Sequence, residues 1–69
     1  MSFRAWLLSQ TDRDDPIGDL ARDVRHDRGS RARTVRGVRQ RILNVGGCDA
    51  AVDALEAAAR EWRSNASTK

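Results

Sequence analysis

Sixty-nine residues with a net charge of +3 and one cysteine allow one domain with one small core. They exclude an intramolecular disulfide and a multi-cysteine zinc site. The longest apolar runs are far too short to span a bilayer, and the first residues lack a basic region followed by a hydrophobic one. The expectation is a cytoplasmic protein with no membrane contact, held together by helix packing or by a partner.

Taken in chain order, Ser2 is a candidate N-cap for a first helix over residues 3–10, with Phe3, Trp6 and Leu7 on its inward face and Leu8 to one side. The polar residues 11–14 then lead to Asp15-Pro16, the clearest helix start in the chain. The Asp15 carboxylate suits the orphan amides of a first turn, and proline suits the first helical position, where no N–H is required. Asp19 adds negative charge near the positive end of the dipole. Ile17, Leu20, Ala21 and Val24 recur at three- and four-residue steps, which predicts a second helix over 16–26. Arg25 and His26 fall in its last turn and Gly29 follows as a stop.

Ser30 or Thr34 is a candidate cap for a third helix carrying the stripe Val35, Val38, Ile42 and Val45. Gly37 inside it costs about 1 kcal/mol relative to alanine, so its first turns are expected to be the least secure. Gly46-Gly47 ends it. Asp49 is the expected cap of a fourth helix over 50–64, with Val52, Leu55, Ala59 and Trp62 inward and a Glu56–Arg60 pair on the outer face. No segment alternates with a two-residue period. The fold class is all-α, a compact bundle of four short helices over residues 1–64, with a flexible tail at 65–69. The predicted core is Phe3, Trp6, Leu7, Ile17, Leu20, Val24, Val38, Ile42, Leu55 and Trp62.

Several of these residues also form a recognisable wording. With Phe3, Trp6-Leu7-Leu8, the Asp-Asp-Pro-Ile-Gly-Asp-Leu-Ala run at 14–21, Asp27 and Trp62, the chain resembles the YozE-like family of small bacterial and phage proteins. The resemblance implies a four-helix fold similar to the sterile alpha motif, with nucleic-acid or protein binding as the associated roles. Its distinctive wording lies in residues 3–27; beyond Gly29 it rests on the helix pattern and Trp62.

The charge is distributed unevenly. Residues 25–41 hold seven arginines against one acid, a segment charge of +6, while residues 1–24 and 42–69 carry −2 and −1. Twelve of the thirteen bases are arginine in an alanine-rich chain, a bias that a GC-rich genome produces by itself, so the clustering says more than the number. A focused basic segment favours a polyanionic partner. The second helix, a short turn and the third helix are arranged as in a helix-turn-helix, with Arg33, Arg36 and Gln40 outward, Arg39 beside them, and Arg28 and Arg31 in the preceding loop. Arginine's planar fork suits phosphates and guanine edges. The leading expectation is therefore DNA or RNA binding through Arg28, Arg31, Arg33, Arg36, Arg39 and Gln40. The alternative is a protein–protein module, an adaptor or an inhibitor of a cell or host protein. It would use the same basic face and the acidic 12–23 region, against an acidic protein surface or a second copy.

No constellation supports catalysis. Asp12, Asp14, Asp15 and Asp19 read as a cap, a dipole partner and turn solvation, and their spacing does not match a calcium loop. His26 lacks a partner nucleophile, and Cys48 reads as a small packing residue. Trp6 and Trp62 fall on inward faces and are assigned to the core instead of to base stacking. No cofactor, metal, catalytic residue or small-molecule substrate is expected.

Overall fold

The computed structural model describes residues 2–27, 29 and 31–67, with side chains to residue 65. It contains α1 (Phe3–Leu8), α2 (Pro16–His26), α3 (Val35–Asn44) and α4 (Asp49–Ser67), and no strand among the described residues. Three helices start in the same way. The side-chain oxygens of Ser2, Asp15 and Thr34 accept from the amides of Ala5, Gly18 and Gly37 at 3.1, 2.9 and 3.0 Å. Each satisfies one orphan donor of a first turn. Ser30, the other candidate cap for α3, lies outside the described residues. At α4 the Cys48 carbonyl accepts from Ala51 and Val52, which puts Cys48 at the cap position and Asp49 inside the first turn, so this helix starts one residue earlier than predicted.

The ends are set by local hydrogen bonds. α1 stops at Leu8, two residues short of expectation, because Ser9 and Gln10 fold back onto the carbonyls of Trp6 and Leu7. α3 closes on a glycine pair. Gly46 adopts φ 76°, a left-handed conformation that costs glycine little, and the Gly47 amide reaches the Ile42 carbonyl at 2.8 Å. α4 instead continues through residues 65–67, predicted to lie in the tail, since no glycine or proline interrupts it there.

The longest helix, α4, packs on the other three. Its share of the core is mostly alanine: Ala54, Ala58 and Ala59 are buried around Leu55, so α2 approaches closely. Opposite them lie Phe3, Trp6, Leu7, Ile17, Leu20, Ala21, Val24, Val38 and Ile42, all buried. The Phe3 ring stacks on Trp6 at 6.1 Å and meets Trp62 edge-on at 5.6 Å, and Trp62 itself is half-buried against this cluster.

Three expectations need correction. Val45 is 60% exposed because it is the C-cap, where the chain has left helical geometry and the stripe no longer applies. Cys48 is exposed, since the cap position stands ahead of the packed face of α4. Glu56 does not pair with Arg60 but reaches across to Arg39 at 3.0 Å, a longer-range bond that helix-local spacing does not reveal.

Candidate nucleic-acid interface

The structure divides the arginines into those engaged by carboxylates and those left over. Arg13 is held between Asp15 and Glu61 at 2.7 and 2.8 Å, and Arg22 pairs with Asp19 while donating to the carbonyls of Thr11 and Arg13. Arg41 makes a two-pronged pair with Asp27 at 2.8 and 2.9 Å. Arg31, Arg33 and Arg36 are exposed and have no acidic partner among the described residues. These three bracket the start of α3, whose first turn carries no acid. Helix dipoles favour negative charge at that end, so arginines there are mutually repelled and also opposed by the dipole. A bound anion would relieve both effects.

A fourth arginine joins them from a distance. The Arg4 amide donates to the Arg33 carbonyl at 3.2 Å, and its guanidinium lies 3.4 Å from the Ala32 carbonyl. Nothing in the spacing of residues 1–10 signals this neighbour, because it depends on α1 packing against α3. The remaining predicted residues divide further. Arg39 belongs to the same exposed side but shares its charge with Glu56. Gln40 is exposed, with its amide turned onto Asn44 at 3.0 Å. Arg28 lies outside the described residues. Gly37 also acquires a reason: a Cβ there would come within 3.0 Å of Ala32 and 3.2 Å of the Thr34 hydroxyl, so glycine lets the arginine-bearing loop fold back on α3.

The helix-turn-helix arrangement is not what holds this segment. Residues 27–34 separate α2 from α3, and the two helices do not pack directly on each other. The core contacts of α3 are instead with α4 and α1, so a short turn between packed partners is absent. The Asp27–Arg41 pair spans the gap. Arg41 holds the Asp27 carboxyl below its usual range, and Asp27 in turn raises Arg41. Arg41 is thereby withdrawn from the outward face, as its position on the helical wheel implies.

Elsewhere the chemistry is structural. The Gly18 amide and then Arg13 keep the Asp15 carboxyl low, and Arg13 lowers Glu61 in the same way. His26 donates through Nδ1 to the Arg22 carbonyl at 2.7 Å and is otherwise exposed. No group of three or more potential metal ligands occurs among the described residues. No helix there is long and apolar enough to cross a membrane. Compared with models of protein families, with curated proteins and with solved structures, the chain matches none.

Proposed function

We propose that this chain is a non-enzymatic, cytoplasmic nucleic-acid-binding protein that grips the phosphate backbone with Arg31, Arg33 and Arg36, assisted by Arg4. The resemblance to YozE-like proteins and their sterile-alpha-motif-like fold agrees with a binding role. The observation that carries the reading is the residue of positive charge left after pairing. Arg13, Arg22, Arg39 and Arg41 are occupied by acids, whereas the arginines clustered at the start of α3 have no acidic partner among the described residues. Uncompensated guanidinium groups beside a helix N-terminus match phosphate in charge and geometry. Contacts of this kind position a duplex without reading its sequence.

The test is anisotropy of a labelled random duplex at two salt concentrations. Three phosphate contacts imply a slope of log K against log salt near −2.7, hence affinity falling about 40-fold between about 50 and 200 mM salt. Arg36→Gln removes one contact and reduces that drop to about 12-fold. Absence of binding at about 50 mM salt refutes the proposal.

A further inference from the structure

A second surface lies away from the arginines. Two adjoining hollows of about 360 and 190 Å³ share Leu20, Asp23 and Ala51 and form one trough beside α2. Leu20, Val24, Val38 and Ile42 close its floor at one end, and Ala51 and Ala54 at the other. It exists because α2 and α3 do not meet and the α4 residues beneath are small. Along α2 the trough runs from Pro16 to Asp27, about 16 Å at the helical rise, or three turns of a docked helix.

Its lip is acidic. Asp19, Asp23 and Asp27 stand four residues apart along α2 and all line the trough. Asp19 is shared with Arg22, and Asp27 with Arg41, which is the only base lining the trough among the described residues. Asp23 has no partner among the described residues, nor do Asp49 and Asp53, which stand either side of Ala50–Val52 on α4 outside the lining. The lip is therefore negative in net charge around an apolar floor.

We infer that this trough receives an amphipathic helix of another protein, with apolar residues three and four apart against the floor and lysine or arginine along its flank against Asp23. Charge complementarity selects the cationic helix. A second copy of this chain does not supply one. Its basic segment at 31–36 offers only Ala32 and Val35, both half-buried in its own fold. Its large exposed apolar residues among the described ones, Leu43 and Val45, belong to the C-terminal end of α3 beside the trough itself.

The probes are three 14-residue peptides titrated into ¹⁵N-labelled protein. One has a leucine stripe flanked by lysines, the second replaces lysine with glutamate, and the third replaces leucine with serine. The expected result is saturable shifts at Leu20, Asp23, Val45, Gly47 and Ala51 with the leucine–lysine peptide, and at least tenfold weaker binding of the other two. Asp23→Lys and Val45→Ser, both at exposed side chains, each weaken the first peptide at least threefold while leaving the circular dichroism spectrum unchanged. The inference is overturned by an absence of shifts or by shifts centred elsewhere. Equal binding of the glutamate or serine peptide overturns it too, as does a concentration-dependent mass that Val45→Ser abolishes, which would assign the trough to a second copy.

Discussion

Replacing Gly18 by alanine sets two physical rules against each other. Gly18 is the third residue of α2, and alanine is favoured over glycine in a helix by about 1 kcal/mol. Propensity alone therefore predicts a more stable protein. The tertiary structure predicts the opposite. A Cβ at this position falls 2.0 Å from the Arg13 carbonyl oxygen and 2.7 Å from its carbon, both of them backbone atoms that no rotamer change moves. Restoring ordinary contact distances requires displacing the 10–15 loop by more than about 1 Å, as expected of overpacking at a rigid site. That loop is held by the Arg22 bonds to Thr11 and Arg13 and by the Arg13 pairs to Asp15 and Glu61. Overpacking and lost loop bonds together cost about 3 kcal/mol, which leaves a net destabilisation near 2 kcal/mol after the propensity gain. In a domain of this size that lowers the melting temperature by about 8–16 °C, readable by circular dichroism. A melting temperature unchanged or raised would refute the packing argument.

The two tryptophans separate by burial. Trp6, 8% exposed, loses both its area and its stacking on Phe3 when changed to alanine, at a cost of about 3–5 kcal/mol, which matches the whole stability of a chain this short. Trp6→Ala is therefore expected to be unfolded in buffer, whereas Trp62→Ala, at a half-buried position, stays folded with a lower urea midpoint. The carboxyls of Asp15, Asp27 and Glu61 are all held below their ordinary range, so their contribution is complete above about pH 4–5 and disappears as pH falls through the lowered values. Melting temperature should decline on acidification below about pH 4, and less steeply in Glu61→Gln, which has no proton to take up. Exposed at the cap of α4, Cys48 should react with a thiol reagent in the native protein as fast as in urea; strong native protection would contradict its position.

Much of the fold was legible because its cues are local. Capping by Ser2, Asp15 and Thr34 acts over three residues, and the α2 stripe repeats within a single helix, so its limits agree with expectation at both ends. The all-α class follows from the same short-range periodicity. Where the cue weakened, boundaries moved: α1 ended early on side-chain bonds to the Trp6 carbonyl, and α4 ran on where nothing stops a helix. The arginine cluster was equally visible as composition, but its division into occupied and available groups was not.

That division is a tertiary property. Arg13 meets Glu61 across 48 residues, Arg41 meets Asp27 across 14, and Arg39 meets Glu56 across 17. No helical wheel contains these distances. The same holds for Arg4 beside Arg33, for glycine at position 18, and for the acid-lipped trough left where α2 and α3 fail to touch. By itself the sequence determined where helices begin and which faces are apolar, since hydrogen bonding and side-chain spacing act within one or two turns. Only packing decided which charges are neutralised and which surfaces stay open, because both depend on which residues the folded chain brings within a few ångströms of each other.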